Sequence, residues 1–305
     1  MIDKSKLISE VLFIAKKAGI KGVMPVELRH GGNLIIHLSP HPIVARIAIM
    51  ASQDNAEYAS YRLARELRAA RHLQSKGVPA LLPTDDPDAG PYEIDGIWLT
   101  FWTYVPPTTL PPLYPNEAIE RVRSLSLALH DFEDGLPTLG VWERACQSVA
   151  RLTQHDDPRI SILLHEFTRI DQWMRHKTRR LIPCHGDAHP GNLLPSPDGW
   201  LWTDFEDLSL MPAYWDLTSY VGNLALFHGM KEPIFSYILS QISQRHDLEA
   251  FGMTMIARVL MSTLGNLDFA LAGKGDLAFA TKQLERAEDV IRQFDLMMQD
   301  YSRFV

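Results

Sequence analysis

The stretch CHGDAHPGNLLPSPDGWLWTDFEDL, from Cys184 to Leu208, contains polar residues whose types and spacing are suited to acid–base and metal chemistry. Its polar side chains form two groups separated by two short apolar runs: His185, Asp187, His189 and Asn192 before the runs, then Asp204, Glu206 and Asp207 after them. A carboxylate can accept a proton from a reacting group. Carboxylate and amide oxygens are also the ligands that Mg²⁺ prefers. The spacing therefore predicts a base and a magnesium site in one segment.

The first group satisfies the pattern H-x-D-x-x-x-x-N through His185, Asp187 and Asn192. In kinase-type enzymes the Asp of this pattern accepts the proton of the attacking hydroxyl, and the Asn holds a magnesium ion. Pro190 and Gly191 predict a loop between Asp187 and Asn192. We therefore take Asp187 as the candidate catalytic base.

The turn sequence Ser196-Pro197-Asp198-Gly199 lies between the apolar runs LLP and WLWT. This arrangement predicts a β-hairpin. Asn192 precedes the first strand and Asp204 follows the second, so the hairpin brings the two residues side by side. Asn192 and Asp204 are therefore the predicted magnesium ligands.

The same residues also allow other interpretations. His185 and His189 fit the spacing H-x-D-x-H of a zinc site, but such a site needs a further His or a carboxylate cluster, and none is clearly placed. His185 is better explained as a structural residue that hydrogen-bonds to backbone near Asp204. Glu206 and Asp207 are interpreted as charges that lie near the metal ligands or are exposed to solvent. Neither is assigned as a magnesium ligand.

HGDAHPGN followed by TDFEDLSLMPAYWDL resembles the aminoglycoside phosphotransferase and choline kinase group, the protein-kinase-like small-molecule phosphotransferases. The resemblance implies transfer of a phosphoryl group from ATP or GTP to a hydroxyl group, with Mg²⁺ as cofactor. It places the nucleotide between two lobes and the acceptor on the helical side. It also implies that Asp216, in WDL, braces the catalytic loop, and a role at a helix N-terminus is the alternative.

The resemblance extends to the residues before Val105. Gly31, Gly32 and Asn33 occupy the place of the family's phosphate-covering turn, and an ordinary hairpin turn is the alternative. VARI places Arg46 where kinases have the lysine that reaches the nucleotide phosphates, with Glu66 as its helix partner. Arg retains the charge and adds a bidentate fork.

The hinge expected to touch the nucleotide base is FWTYV, which contributes Trp102 and Tyr104.

The elements that must position these residues follow from periodicity. Helical spacing predicts an amphipathic helix in the first twenty residues and another over NAEYASYRLARELRAARHLQSKG. VMPVELR, NLIIHL and PIVARIAIM predict three antiparallel strands, and IDGIWLTFWTYV predicts one more. Helices are predicted near 116–131, 141–153 and 159–180, and again after Pro212. The proline-rich segment 106–115 is the predicted boundary.

We therefore predict an α+β, protein-kinase-like two-lobe fold, with an antiparallel-sheet N-lobe over 1–105 and a mainly helical C-lobe over 106–305.

Composition agrees with an enzyme of this size, since 46% of the 305 residues are hydrophobic and 22% are charged. The net charge of −7 argues against a nucleic-acid partner. The two cysteines indicate a reducing compartment, and no apolar run is long enough for a membrane span, so we expect a cytoplasmic protein.

The expected function is a small-molecule kinase acting on an antibiotic-like hydroxyl acceptor. One alternative is a metabolic kinase for choline, homoserine or a sugar, because D-F-E is also found in choline kinases. Another is a catalytically silent nucleotide-binding module, for which Arg46 is the only indication.

Overall fold

The computed structural model describes residues 4–30, 33–48, 56–178 and 180–300. The helices in these ranges are α1 (Lys4–Lys17), α2 (Ala56–Ser75), α3 (Pro115–Leu129), α4 (Gly140–Leu152), α5 (Pro158–His176), α6 (Trp215–His228), α7 (Pro233–Ser240), α8 (Arg245–Leu271) and α9 (Leu277–Gln299). The strands are β1 (Met24–His30), β2 (Leu34–Ser39), β3 (Ile43–Ala48), β4 (Tyr92–Ile94), β5 (Ile97–Thr103), β6 (Leu181–Cys184), β7 (Leu193–Ser196), β8 (Gly199–Trp202) and β9 (Ser209–Pro212).

The chain divides into two compact units. The first comprises Met1–Pro111 and Gly191–Glu206, and the second comprises Pro112–Pro190 and Asp207–Val305. The predicted lobes assigned 191–206 to the C-lobe, whereas this segment packs within the first unit. The reason is a backbone connection: Trp202 N donates to Pro79 O at 3.0 Å, and Leu81 N donates to Trp202 O at 2.8 Å. The buried Trp202 side chain adds apolar contact to this attachment.

The first unit is built on a five-stranded antiparallel sheet with the order β1-β2-β3-β5-β4. The three predicted N-terminal strands are confirmed. The further strand predicted in IDGIWLTFWTYV is confirmed as β5. At its start Asp95 and Gly96 adopt φ values of 49° and 77° and turn the chain from β4, which was not predicted, into β5. Residues with positive φ favour such tight turns.

Alternation along β3 gives its two faces different tasks. Ala45 and Ile47 pack with Phe101 and with Val11 of α1 in one apolar cluster. Successive side chains of a strand point to opposite faces, so Arg46 lies on the other face. One face of the sheet therefore forms an apolar core, and the Arg46 side chain lies on the opposite face.

The helix α2 was predicted from its apolar spacing, and its buried side chains follow that spacing: Ala59, Leu63, Leu67, Ala70 and Leu73. Glu66 is only 1% exposed although it is a carboxylate. Carboxylates are almost never fully buried unless they are paired. The position of Glu66 therefore requires a cationic partner.

The second unit is mainly helical, and its helices α3 to α6 and those after Pro233 confirm the predicted pattern. A short antiparallel pair, β6 with β9, was not predicted; it aligns Cys184 with Ser209. Because β6 ends at Cys184, this pair fixes the start of the loop that contains Asp187. Among the described residues, no helix combines the length and apolar character that a membrane span requires.

Candidate active site

The buried guanidinium of Arg46 is the centre of a charge cluster in the first unit. Nη1 donates to Glu66 Oε2 in a short ion pair, and Nη2 lies 3.0 Å from Asp204 Oδ1 and 2.8 Å from Glu206 Oε2. With its amide oriented to suit its neighbours, Asn33 accepts from Arg46 Nη2 at 2.9 Å. Strand β3, helix α2 and the turn after β8 thus meet at one side chain.

The pairing of Arg46 with Glu66 agrees with the arrangement that the sequence predicts. Burial lowers the pKa of Arg46, but the charges of Glu66, Glu206 and Asp204 outweigh it and raise that pKa above its usual value. Burial raises the pKa of Glu66 to about 7, because the charge of Arg46 offsets only part of the effect of burial. Arg46 therefore remains a cation, and three carboxylates share it.

A cavity of about 360 Å³ lies beside this cluster within the first unit. One part of its wall is apolar, and another part is charged or polar. The apolar residues are Ile35, Val44, Leu81, Trp102 and Leu194, and the polar ones include Arg29, Asn33, Arg46, Glu66, Asn192, Asp204 and Glu206. Ligand sites typically combine an apolar lining with a few placed polar groups. This lining suits a ligand that has both an apolar part and a charged part.

The predicted hairpin is confirmed, since β7 and β8 pair from Leu193↔Trp202 to Ser196↔Gly199. At its open end, Thr203 N and Oγ1 donate to Asn192 O at 3.0 and 3.1 Å. Asn192 and Asp204 accordingly line the same cavity. Asp204 has a φ of 67°, a left-handed conformation that Asp tolerates better than most residues.

Asp187 lies in the second unit and is paired with a cation. Its Oδ1 accepts from Arg258 Nη2 at 2.5 Å, and its Oδ2 lies 3.4 Å from His189 Nε2. Burial raises the pKa of the Asp187 carboxyl, but Arg258 and His189 outweigh this effect and hold the pKa well below its usual range. Asp187 is therefore ionised at neutral pH, as a proton acceptor must be.

Asp216, at the start of α6, hydrogen-bonds to the backbone of the loop that contains Asp187. Its carboxylate accepts from His185 N at 2.9 Å and from Gly186 N at 3.1 Å, and Trp215 Nε1 donates to Gly186 O at 2.8 Å. This confirms the bracing role that the resemblance implied for Asp216. His185 is fully buried, and its Nδ1 lies 3.4 Å from Asp187 N.

The structure brings most of the predicted nucleotide residues together and places one elsewhere. Arg46, Glu66, Asn33 and Trp102 line the cavity with the predicted metal ligands. Tyr104 instead stacks on His37, with ring centroids 3.7 Å apart, and is not among the described residues that line the cavity. Gly31 and Gly32 lie outside the described residues.

The sequence did not indicate two functional candidates, Arg29 and Arg258, and a third, Glu206, was considered but not assigned. Arg29 and Glu206 line the cavity, and Arg258 pairs with Asp187. For Glu206 a signal existed, because it stands two residues after Asp204 in D-F-E. Arg258 stands in a long buried run of α8, and no nearby motif marks it.

A fold of a small antiparallel-sheet unit and a mainly helical unit, with this charge cluster and loop, defines the protein-kinase-like class. The family model APH, described as the phosphotransferase enzyme family, matches residues 48–232. The chain therefore belongs to this phosphotransferase family. No curated protein sequence matches it significantly.

Solved structures agree with the fold. A choline/ethanolamine kinase family protein from Mesorhizobium loti is 16% identical, with a TM-score of 0.65 over 96% of this chain and 98% of that one. The amicoumacin kinase hAmiN, in complex with AMP-PNP, Ca²⁺ and Ami, is 13% identical, with a TM-score of 0.66 over 99% and 96%. A thermostable mutant of aminoglycoside phosphotransferase APH(4)-Ia is 16% identical, with a TM-score of 0.63 over 92% and 98%. These similarities confirm the predicted fold class.

The position of Gly186 gives a test of the loop geometry. It has a φ of 89°, and a Cβ there would lie 2.1 Å from Asp207 O, whereas Gly199 has a φ of 120° and open space around its Cβ position. Both Gly→Ala changes incur backbone strain, but only Gly186→Ala adds a steric clash. We expect Gly186→Ala to lower the free energy of unfolding by about 1–3 kcal/mol more than Gly199→Ala, measured by urea denaturation. Equal losses would show that the loop does not pack as described.

Proposed function

We propose that the protein is a small-molecule kinase that transfers the γ-phosphoryl group of a magnesium-bound ATP or GTP to a hydroxyl of an antibiotic-like or related acceptor. The observation that carries the proposal is the cluster in which Arg46 joins Glu66, Asp204 and Glu206 beside Asn192 in one cavity. A cavity lined by apolar residues and by this cluster is suited to a nucleotide base and its phosphates. Membership of a phosphotransferase family supports this assignment.

Nucleotide use is supported by the ligands named for similar structures. hAmiN is described in complex with AMP-PNP, and aminoglycoside 2'-phosphotransferase-IIIa in complex with GDP. In this chain, Trp102, Val44 and Leu194 are proposed to hold the base. Arg46, oriented by Glu66, and Asn33 are proposed to bind the phosphates, since a guanidinium fork matches phosphate oxygens.

The donor set fits a magnesium ion. Asn192 and Asp204 offer an amide oxygen and a carboxylate on the wall of the same cavity, and Glu206 adds a second carboxylate. These are hard oxygen donors of the kind that Mg²⁺ prefers. Three carboxylates around the single guanidinium of Arg46 also leave excess negative charge that a divalent cation would offset. When bound, the ion neutralises phosphate charge.

Asp187 is proposed to receive the acceptor's proton. The bond between the γ-phosphorus and its bridging oxygen breaks, the acceptor oxygen forms a bond to phosphorus, and the hydroxyl proton moves to the Asp187 carboxylate. The low pKa of Asp187 makes it a weak base. In phosphoryl transfer through a loose transition state, positioning contributes more than proton removal, so a weak base is sufficient.

A metabolic kinase for choline, homoserine or a sugar is the second candidate. It is favoured by the D-F-E sequence and by the similarity to a choline/ethanolamine kinase family protein. Phosphorylation of a panel of aminoglycosides, macrolides, choline, amino-alcohols and sugars, each with ATP and with GTP, separates the two candidates. A silent nucleotide-binding module would bind nucleotide and phosphorylate none of them.

Replacing Asp187 by Asn tests the base. We expect turnover on the acceptor found in the panel to fall by about 10²–10⁴-fold, while the affinity for magnesium-nucleotide changes only a few-fold, because the carboxylate acts on the hydroxyl. Steady-state kinetics and calorimetry measure the two effects. The exposed Asp198→Asn is the matched control. Near-normal turnover in Asp187→Asn would overturn the assignment.

Replacing Asp204 by Ala tests the metal site without relying on turnover. We expect nucleotide affinity, measured by calorimetry, to fall by about 10–100-fold in Mg²⁺ and much less with a chelator present, where only the contact of Asp204 with Arg46 is lost. Asp85→Ala, whose side chain is 97% exposed, is the control. Equal weakening in both conditions would instead indicate a purely structural role for Asp204.

The pair Arg46 and Glu66 is tested by a double-mutant cycle on the nucleotide KM. Arg46→Ala should raise the KM strongly, and Arg46→Lys less, because Lys retains the charge but loses the fork. The effect of Glu66→Ala should largely disappear once Arg46 is already Ala, since the residues form one buried pair. Full additivity, or a KM that is indifferent to Arg46, would show that β3 does not bind the phosphates.

A further inference from the structure

Arg258 of α8 is a buried cation placed against the proposed base. It is 8% exposed, and its Nη2 donates to Asp187 Oδ1 at 2.5 Å. We infer that Arg258 is a positioning residue that fixes the orientation of the Asp187 carboxylate for the acceptor hydroxyl. This inference rests on the proposed function and adds to it a residue that lies 71 positions away in the sequence.

The packing of α8 against α6 leaves the stem of Arg258 little freedom. A Cβ at Gly222 of α6 would lie 3.2 Å from Arg258 Cγ, which is tighter than an ordinary contact. One turn before Arg258, Thr254 Oγ1 donates to Ala213 O at 3.3 Å. The absence of a side chain at Gly222 thus provides the space along which Arg258 reaches Asp187. A carboxylate held by so constrained a partner has a defined orientation.

The charges around Asp187 come from three parts of the second unit. Arg258 approaches from α8 and His189 from the loop itself, and buried Asp216 lies at the start of α6. Burial raises the pKa of Asp216, and the charges of His185 and Arg258 lower it. The guanidinium of Arg258 therefore pairs directly with the proposed base, and its charge also favours the ionised form of Asp216.

The energetics of Arg258 favour a functional role over a stabilising one. Its Nη1 is buried and has no hydrogen-bond partner within the described part of the chain. An unsatisfied buried donor costs about 1–3 kcal/mol, and apolar residues often replace a buried ion pair without loss of stability. A residue serving stability alone would not need this arrangement, whereas the directed donors of a guanidinium can orient a carboxylate.

The first measurement is the titration of Asp187 itself, in full-length protein labelled with ¹³C at aspartate carboxyls. The resonance is assigned by its loss in Asp187→Asn. We expect the midpoint to rise by about 1–3 pH units in Arg258→Met and to stay closer to the parent protein in Arg258→Lys. Arg151→Met is the matched control, because Arg151 of α4 pairs with Asp268, which lies on the same helix as Arg258. An unchanged midpoint in Arg258→Met would overturn the inference.

The second measurement is kcat as a function of pH. The reaction followed is the basal hydrolysis of magnesium-ATP or magnesium-GTP until an acceptor has been identified. We expect Arg258→Met to lower kcat by about 10²-fold with the nucleotide KM within a few-fold. A carboxylate with a depressed pKa loses its ionised form only as the pH falls through that pKa. Without Arg258 the acid limb of the kcat profile therefore moves to higher pH, and Arg258→Lys should restore part of the rate.

Stability measurements separate a folding defect from a positioning defect. The double variant Asp187→Asn/Arg258→Met removes both charges, so we expect it to be at least as stable to urea as the parent protein. If it is strongly destabilised, Arg258 is a structural residue and the inference fails. Parent-like kcat in Arg258→Met, with Asp187→Asn inactive, overturns this inference alone. Normal turnover in Asp187→Asn overturns the proposed function as well.

Discussion

The burial of the Arg46 guanidinium is the constraint on which the candidate nucleotide site depends. A buried charge is costly unless it is paired, and its carboxylate partners come from separated parts of the first unit. Glu66 is provided by α2, and Asp204 and Glu206 follow the hairpin strand β8. Forming this cluster therefore fixes the sheet, the helix and the hairpin together. Because Nη2 faces Asp204 and Glu206 simultaneously, the arginine fork joins more partners than a compact ammonium group.

The hairpin shows what sequence can determine. Its turn residues determine where the chain reverses, and this reversal places Asn192 beside Asp204. Two predicted metal ligands that are twelve residues apart could therefore be assigned to one site. Asp216 was assigned only through the resemblance, and the structure confirms its bracing contacts. These features depend on local geometry or on a recognisable motif.

The features that sequence did not predict depend on tertiary packing. β4, β6 and β9 have three or four residues each, too few for a period to be recognised. α8 is buried on nearly all sides over Phe251–Leu260, so its sequence lacks the polar face that usually distinguishes one residue from another. Arg258 is the exception in that run, and its meaning emerges only when Asp187 is seen next to it. The Tyr104 side chain was assigned to the base by its place in the hinge, but the ring of His37 offers it a stacking partner.

Two arginines with buried guanidinium groups, one in each unit, are proposed to have comparable roles. Arg46 is oriented by a helix carboxylate, and Arg258 by a glycine-lined path and an ion pair with Asp187. In proteins, apolar residues often replace a buried ion pair without loss of stability. The low pKa of Asp187 makes it a weak base. Its proposed role is therefore to position the acceptor hydroxyl rather than to bind the proton strongly. That division of labour suits phosphoryl transfer, in which positioning and charge neutralisation account for most of the catalysis.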